Sequence, residues 1–503
     1  MPMFRDFVPK GLRPWIYVAF AACFLMTGFY YLGAAQSIAG STSLMSTDVM
    51  YIGLCNVIGV NMPFPFLFRF KFRFTNRQLL LNAAIGLAVC NLLATMVTFV
   101  PALCLLSFVS GFLKLCGCFE CASNFQLWIT PKRDFSVFFP CLYILVVGDV
   151  YLQGWLAVQV PYHCGSWQSI NYLMAAVMLT VALLVFCLTR NFRFMKPLPL
   201  VSLDWLGCVL WSLVMAEFVF IFNYGEYYNW ADSPVWRGVV VAFVVTLAVT
   251  LWRMNRIRHP YIAPGAFRYK TLVPLLVLFF VAEWLNSTPK VLQNAFTSGV
   301  LHWGAVTVSR FELWGWCGNL LGCLFTLLWI RVLRRRYTSL LIIGAVALLA
   351  YQVMMYVQVS PGLCIERFIA PVAVRGFGYA IYFTALTIYL QEIMPFEHFF
   401  MGLTITGLMR NGPVGTMVSG IYGYAMRHMV ADNAVRALPF DGTQLLLISV
   451  KRLYGVTCLL GCVFVIALLL YNVQPVRSTL KKIPYWNVVG RRIRRAMRHD
   501  EKA

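Results

Sequence analysis

Apolar runs separated by short polar connections repeat along the whole chain. Fourteen of these runs approach or reach the roughly 20 residues that a helix needs to cross a bilayer. The pattern predicts an all-α polytopic membrane protein with about 14 transmembrane helices and leaves little sequence for a soluble domain. The predicted spans lie near residues 14–36, 49–68, 79–99, 102–125, 136–158, 168–188, 201–223, 236–253, 271–288, 309–330, 339–358, 367–390, 399–424 and 452–472.

Composition agrees with this pattern. Of the 503 residues, 60% are hydrophobic and 12% are charged, and the mean hydropathy is +0.74. A soluble chain of this length would need far more polar surface. The first run is too long for the apolar part of a signal peptide and lacks a cleavage site, so we expect it to remain as helix 1.

The net charge of +23, from 41 Lys and Arg against 18 Asp and Glu, has a topological explanation. Positive charge accumulates in the short cytoplasmic loops of membrane proteins. Thirty of the basic residues lie in the amino terminus, the alternate connections and the tail at 474–503, whereas eight lie in the opposite connections. Both termini are therefore predicted to be cytoplasmic, and the basic tail is expected to lie on anionic lipid rather than on nucleic acid.

Ionisable residues inside the predicted spans are the candidate functional residues. Charged groups in the hydrocarbon region are costly and usually face the bundle interior or a water-filled cavity. For each of them the alternative is a structural ion pair or a position close enough to a helix end to reach water. The candidates are Lys114 and Glu120 in helix 4, Asp149 in helix 5, Glu217 in helix 7, Glu283 in helix 9, Arg375 in helix 12 and Arg410 in helix 13.

Two features of these charges bear on function. The six-residue spacing of Lys114 and Glu120 does not suit a pair within one helix, so each is expected to pair with another helix. A carboxylate in such a site can take up a proton on one side of the membrane and release it on the other, which is a physical basis for proton-coupled transport.

Helix breakers stand beside several of the buried charges. They predict flexible or kinked backbone next to a cavity, and the alternative is close helix packing through glycine. The breakers are Gly148 beside Asp149, Gly376 and Gly378 after Arg375, and Gly412 and Pro413 after Arg410.

Aromatic side chains make up 16% of the chain, which is more than two interfacial belts require. Some of them are therefore expected to line the interior of the bundle. An aromatic cavity with a few charges suits amphipathic or cationic organic solutes better than sugars or inorganic ions.

No cofactor or metal site is predicted. Cys116, Cys118, Cys121 and Glu120 resemble a metal-binding cluster in composition. A spacing of two on a helix, however, turns Cys116 and Cys118 about 200° apart. Helix packing is the simpler explanation, as for most of the sixteen cysteines, which lie within predicted spans.

Residues 204–233 carry the most specific motif of the sequence. They read DWLGCVLWSLVMAEFVFIFNYGEYYNWADS. This block resembles the helix 7 region of the fourteen-helix drug:proton antiporters of the major facilitator superfamily, the EmrB/QacA type. In that family an Asp-x-x-Gly opens the extra helix and a Gly followed by Trp-x-x-Ser closes the loop after it, and the matching residues are Asp204, Gly207, Gly225, Trp230 and Ser233. Further matches run in order along nearly the whole chain: AAQSIAG at 34–40, RFKFRFTNR at 69–77, HPYIAPGAFRYK at 259–270, RGFGYAIYFTALT at 375–387, and TGLMRNGPVGTMVSG at 406–420, which holds Arg410, Gly412 and Pro413.

The resemblance implies the major facilitator fold, with two six-helix bundles and an inserted helix pair. The bundles would span residues 1–190 and 261–473, with the inserted pair at 191–260 and a basic cytoplasmic tail at 474–503. It also implies a secondary transporter of a bacterial inner membrane that exports amphipathic or hydrophobic compounds in exchange for protons. Related exporters work with a periplasmic adaptor and an outer-membrane channel, so these are implied partners beside the lipid bilayer, the protons and the small-molecule substrate.

The chain departs from the family pattern at the usual coupling residues. Thr27 stands where helix 1 of the family has Asp. Ser107 stands where helix 4 has Arg, four residues before Gly111, and the Gly-Pro motif of helix 5 falls near Asp149 and Val150. The usual coupling constellation is therefore disrupted.

Two interpretations of this departure remain open. In the first, Lys114, Glu120 and Asp149 supply the buried charge of the amino-terminal half, and Arg410 is retained in the other half. In the second, the missing charges make the protein a proton-uncoupled uniporter or importer of a small organic solute.

A polytopic membrane enzyme acting on lipid-linked substrates is the alternative from a different class. Such an enzyme needs clustered acids, bases or metal ligands at one membrane face. The six histidines are instead scattered through predicted loops, so we predict that the protein is not an enzyme. They are His163, His259, His302, His398, His428 and His499.

Overall fold

The computed structural model describes residues 3–28, 34–130, 135–193, 197, 199–201, 203–269, 271–332, 337–409, 413–436 and 441–473. These residues form helices and connecting turns, and no β-strand occurs among them. The helices, in chain order, are α1 (Arg13–Met26), α2 (Ala35–Ser41), α3 (Ser46–Asn61), α4 (Leu67–Arg73), α5 (Asn76–Ala94), α6 (Val100–Ile129), α7 (Phe135–Cys164), α8 (Gln168–Leu188), α9 (Trp205–Asn223), α10 (Pro234–Arg256), α11 (Leu272–Ser287), α12 (Leu292–Asn294, continued by a π-helical turn at Ala295–Val300), α13 (Ala305–Arg331), α14 (Tyr337–Gln358), α15 (Ile365–Ile393), α16 (Phe396–Met409), α17 (Pro413–Arg436) and α18 (Gly442–Val473).

The transmembrane pattern is confirmed. Within the described ranges, twelve helical segments are long and apolar enough to cross a membrane. The predicted span at 399–424 falls on α16 and α17, with residues 410–412 outside the described residues. The predicted span at 14–36 falls on α1, which is shorter and ends at Met26, because Thr27 leaves the helix with an extended backbone and Gly28 follows it. The protein is therefore an all-α, multi-pass membrane protein.

Most helices pack on other helices of the same half. In the first half, α1 packs on α6 and α7, α3 packs on α6, and α5 packs on α6 and α8. In the second half, α13 and α14 pack on α15, and α14 and α17 pack on α18. The two halves meet where α7 crosses α13 and α15, and where α3 touches α16. Helices α9 and α10 pack on each other, and α9 also contacts α3 of the first half and α17 of the second half.

Close contacts in the second half depend on glycine. A Cβ at Gly318 of α13 would overlap the carbonyl oxygen of Ala373 on α15. A Cβ at Gly376, which follows Arg375 inside the continuous helix α15, would overlap the carbonyl oxygen of Gly315. Small residues allow backbones to approach in this way in membrane bundles. Close packing, rather than a break in the helix, is therefore what the structure shows beside Arg375.

Asp204 fixes the beginning of α9. Its carboxylate accepts hydrogen bonds from the backbone N–H groups of Gly207 (2.9 Å) and Tyr261 (3.0 Å), and it pairs with Arg253 at 2.7 Å. It thus caps α9 and ties α10 and the following loop to it. Burial raises the pKa of the Tyr261 phenol, whose hydroxyl donates to the carbonyl oxygen of Met62 at 2.6 Å. Asp204, at the start of the motif, therefore holds α9, α10 and the following loop together.

The loop after α9 docks on α17. The ring of Trp230 covers Gly225, where a Cβ would crowd it. Trp230 also packs on Tyr424 of α17, with ring centroids 5.7 Å apart, and Glu226 forms an ion pair with Arg427 of the same helix. The end of the motif therefore attaches the loop after α9 to the second half.

Candidate functional site

A buried ion pair joins α6 and α7 near the middle of both helices. Lys114 Nζ lies 3.6 Å from Asp149 Oδ2, and the two side chains are 10% and 6% exposed. Each helix has 30 residues, so the pair is far from the helix ends. Gln153, one turn further along α7, donates a hydrogen bond to Asp149 Oδ2 at 2.9 Å. The other oxygen, Oδ1, is buried and has no hydrogen-bond partner in the described part of the chain.

The same site touches the end of α1. Gln153 Nε2 donates a second hydrogen bond, at 2.5 Å, to the carbonyl oxygen of Leu25. Thr27 is buried at the C-cap of α1, and its hydroxyl donates to the carbonyl oxygen of Cys23 at 2.8 Å. The Thr27 hydroxyl therefore bonds within its own helix. The charges of the site are those of Lys114 and Asp149.

Ser107 and Gly111 hold α6 against α3. The Ser107 hydroxyl donates to the carbonyl oxygen of Ile52 at 2.6 Å, and a Cβ at Gly111 would overlap the carbonyl oxygen of Asn56. The family that this sequence resembles has an arginine at the position of Ser107. Here Ser107 is uncharged and forms a contact between α6 and α3.

Glu120 belongs to a separate cluster nearer the carboxyl-terminal end of α6. Its carboxylate pairs with Lys71 Nζ of α4 at 3.2 Å and accepts a hydrogen bond from Asn124 Nδ2 at 3.0 Å. The prediction that Lys114 and Glu120 each pair with another helix is confirmed. Both carboxylate oxygens of Glu120 are engaged, which is the geometry of a structural ion pair.

A second buried cation lies on the opposite side of α7. Arg375 of α15 is 8% exposed, and its guanidinium carbon lies 5.9 Å and 5.8 Å from the ring centroids of Tyr151 and Tyr351. Glu312 of α13 is close enough to act on it electrostatically, yet no carboxylate in the described ranges forms an ion pair with it. Arg375 Nε is buried without a hydrogen-bond partner there. Aromatic rings, rather than an ion pair, surround this cation.

Tyr151 and Glu312 interlock α7 with α13. The ring of Tyr151 lies against Gly315 of α13, and the side chain of Glu312 lies against Gly154 of α7. The two contacts are about one turn apart on each helix, so each glycine leaves a notch for a side chain of the other helix. The two halves of the molecule meet at these notches.

Glu283 of α11 lies in the second half near the same contact. Its carboxylate accepts hydrogen bonds from the Tyr379 hydroxyl at 3.2 Å and the Ser287 hydroxyl at 3.4 Å. Tyr379 stacks on Phe383 with centroids 5.6 Å apart, and Phe383 packs on Tyr143 of α7 at 4.7 Å. Aromatic side chains thus fill the contact between the halves beside the buried charges.

The other candidate residues lie apart from these clusters. Glu217 is half-buried between α9 and α10, where the Thr246 hydroxyl donates to it at 3.3 Å. Pro413 is buried as the first residue of α17, whereas Arg410 and Gly412 lie outside the described residues.

The cysteines of α6 pack in the core of the first half. Cys116, Cys118 and Cys121 are buried free thiols. Among the residues that the structure describes, no group of three or more His, Cys, Asp or Glu side chains could hold a metal ion.

Sequence reasoning misses several residues of these clusters, and three of them show why. A signal for Gln153 is present, because it lies four residues after Asp149 and therefore on the same helix face. Glu312 stands near the beginning of its predicted span and so resembles a residue at the membrane surface. The approach of Tyr151 to Arg375 depends on how α7 and α15 pack, and no local pattern reports it.

Comparison with solved structures finds chains similar to this one. The chain is similar to the crystal structure of an auto-inhibited POT family peptide transporter, with a TM-score of 0.59 and 16% identity over 94% of this chain and 98% of that chain. It also matches a variant of the nucleoside transporter NupG, with a TM-score of 0.49 and 12% identity over 90% and 98%. No family model and no curated protein sequence matches the chain. The first likeness confirms the major facilitator fold, and the EmrB/QacA subtype stays a prediction.

Proposed function

We propose that the protein is a proton-coupled secondary transporter and that Asp149, paired with Lys114, is its coupling carboxylate. One observation carries this proposal: the ion pair is buried in the middle of membrane-spanning helices, and one carboxylate oxygen has no partner among the described residues. Ionisable groups at that depth are costly and mark proton and substrate pathways. The fold supplies the movement, since its two halves can rock against each other around a fixed site.

Protonation of Asp149 would change the charge of the site. The pair is neutral when the carboxylate compensates the ammonium group of Lys114. A proton that binds Oδ1 makes a neutral acid and leaves Lys114 as a buried, uncompensated cation, which is unstable. Protonation therefore favours a conformation in which Lys114 reaches water. Because the protonated site repels a second cation, a proton and an organic cation exclude each other, as antiport requires.

Gln153 links protonation of Asp149 to the position of α1. It bonds both Asp149 Oδ2 and the carbonyl oxygen of Leu25. A displacement of Asp149 therefore pulls on the end of α1 as well as on α6. Three helices of the first half respond together.

The substrates proposed are amphipathic or hydrophobic organic compounds, exported as in multidrug efflux while protons flow inward. Support comes from the aromatic contact around Tyr143, Tyr379 and Phe383, which places apolar rings next to a few charges where the two halves meet. The resemblance of residues 204–233 to drug:proton antiporters points to the same class.

The proposal includes a location and an organisation. The protein would lie in the inner membrane of a bacterium, with both termini cytoplasmic and the basic tail at 474–503 on the lipid surface. The bundles would be residues 1–190 and 261–473, with the inserted pair at 191–260. A periplasmic adaptor and an outer-membrane channel are the proposed partners.

A transporter without proton coupling is the second candidate. Thr27 and Ser107 stand where the resembling family has charged residues, and both make uncharged helix contacts. This observation favours loss of coupling. The two candidates differ in whether a proton gradient drives transport uphill.

Transport in proteoliposomes of known orientation tests the proposal. Tetramethylrhodamine methyl ester, a fluorescent lipophilic cation, is supplied with and without a pH gradient, while valinomycin and equal potassium concentrations hold the membrane potential at zero. Uphill movement that requires the gradient supports proton antiport. Downhill movement that ignores the gradient supports the uncoupled candidate. Movement no faster than in protein-free vesicles contradicts transport of this class.

A further inference from the structure

We infer that the preferred substrates are amphoteric, carrying an anionic group that Arg375 binds and a cationic group that Glu312 attracts. This inference rests on the proposed transport function and names its substrate class. It assigns a second site, on the side of α7 opposite to the Lys114–Asp149 pair.

The state of Arg375 is the first observation. Its side chain is more than nine-tenths buried between Tyr151 and Tyr351, and Nε has no hydrogen-bond partner in the described part of the chain. A guanidinium group carries five N–H donors in a planar fork that matches a carboxylate. Burying such a group without an anionic partner is costly. An anionic group of a ligand would supply the partner.

Glu312 is the second observation. Its side chain lies against Gly154 of α7, about one turn from Tyr151, whose ring lies beneath Arg375, and this places the two charges within electrostatic reach. Glu312 forms no ion pair with any described cation. Three pairs of buried charges elsewhere in the described part of the chain do form ion pairs: Lys114 with Asp149 at 3.6 Å, Lys71 with Glu120 at 3.2 Å, and Arg253 with Asp204 at 2.7 Å. Two opposite charges that are near each other without forming an ion pair can each bind the opposite charge of a ligand that carries both.

The position of the cluster is the third observation. Tyr151 belongs to α7 of the first half, whereas Glu312 and Arg375 belong to α13 and α15 of the second half. The cluster therefore spans the contact at which the halves separate and rejoin, where transporters of this kind of architecture bind their substrates.

The charges select the class of ligand. A carboxylate can form two parallel hydrogen bonds with the Arg375 fork, while the aromatic body of the ligand lies among tyrosine rings. A zwitterion adds no net charge to the buried site. A purely cationic compound would leave Arg375 without a partner, and a purely anionic one would face the Glu312 carboxylate.

Equilibrium binding to the purified full-length chain tests the inference. The probes are tetramethylrhodamine, which has a carboxylate and a delocalised cation, and its methyl ester, which has only the cation. Fluorescence anisotropy should show the parent dye binding about tenfold tighter than the ester, because the ester leaves polar groups of the site unpaired. Arg375→Gln should remove this preference by weakening the parent dye, whereas the ester should bind at least as tightly as to the wild type, because a buried like charge is gone. Glu312→Gln should weaken both dyes, and Arg367→Gln, at an exposed arginine on the same helix, should change neither.

Several results would overturn the inference. They are equal affinities of the two dyes for the wild type, an equal loss of both dyes in Arg375→Gln, or no binding of either dye. If Arg375→Gln does not fold, Arg375→Lys carries the test, since it keeps the charge and loses the fork, and it should reduce the preference by weakening the parent dye. Gradient-driven transport of the ester without preference for the parent dye would leave the transport proposal intact and exclude the amphoteric class.

Discussion

Asp149 and Tyr151 stand two residues apart on α7, and their side chains contact opposite halves of the molecule. Asp149 pairs with Lys114 of α6, whereas Tyr151 lies beneath the guanidinium group of Arg375 on α15. Two residues on a helix turn side chains by about 200°, so one helix can carry a contact for each half. Movement of α7 therefore affects the proposed coupling carboxylate and the proposed substrate site together.

Replacing Gln153 by Leu should impair transport without removing any charge. The substitution deletes the hydrogen bonds to Asp149 and Leu25, and each such bond contributes about 1 kcal/mol. We expect gradient-driven uptake to fall about fivefold to tenfold, equivalent to about 1–1.4 kcal/mol. Uptake by Gln153→Leu and wild-type vesicles with equal protein content gives the measurement. If Gln153→Leu vesicles take up dye at the wild-type rate, the hydrogen bonds that link Asp149 to α1 have no part in coupling.

The contact between α13 and α15 should not tolerate a methyl group. Gly318→Ala places a Cβ against the carbonyl oxygen of Ala373, and overpacking of this kind costs about 1–3 kcal/mol. Gly238→Ala on α10 meets open space and should be neutral or stabilising, because alanine favours a helix by about 1 kcal/mol over glycine. Thermal unfolding in one detergent should show a lower apparent Tm for Gly318→Ala only. Equal Tm values for the two variants would contradict the close contact.

Asp204 should be important for stability and not for coupling. Asp204→Ala removes the cap of α9 and leaves Arg253 without its partner, a loss on the order of 2–4 kcal/mol. Asp204→Asn keeps an acceptor for the cap and should lose less. Thermal unfolding checks the order, with Asp204→Ala below Asp204→Asn below wild type. Loss of the proton-gradient requirement in well-folded Asp204→Asn would assign this residue to coupling instead.

Glu217 should be dispensable for transport. It is half-buried between α9 and α10, and the side-chain oxygen of Gln can accept the same bond from Thr246. We therefore expect Glu217→Gln vesicles to accumulate dye at the wild-type rate. A loss of accumulation with unchanged thermal stability would place Glu217 on the proton or substrate pathway.

The helices could be predicted because the thickness of the hydrocarbon layer sets the length of each apolar run. The predicted span at 168–188 coincides with Gln168–Leu188. The predicted span at 136–158 is shorter than Phe135–Cys164, because the last turns of α7 extend beyond its most apolar stretch and give little hydropathy signal. Helix α1 ends earlier than predicted, because hydropathy does not report the backbone turn at Thr27.

The candidate site could be predicted only in part. Intramembrane position identifies Lys114, Asp149 and Arg375, since charge in an apolar run is visible in the sequence. Their partners could not be predicted, because the rotation of α6 against α7 decides that Lys114 faces Asp149. The same holds for Arg375 and the tyrosines of α7 and α14, which come together only through tertiary packing.

The central claim is that Asp149 couples proton movement to transport. Its most direct test compares two activities of Asp149→Asn in the same vesicles. One is accumulation of tetramethylrhodamine methyl ester driven by a pH gradient, and the other is exchange of internal for external dye at equal pH and concentration. A double variant with Lys114→Gln controls for the lysine that Asp149→Asn leaves unpaired.

Asparagine fills the space of aspartate but does not bind a proton in this pH range. The account therefore predicts that Asp149→Asn and the double variant lose accumulation, that the double variant still exchanges dye, and that Glu217→Gln retains both activities. Accumulation by Asp149→Asn at the wild-type rate would contradict the assignment of Asp149 as the coupling carboxylate.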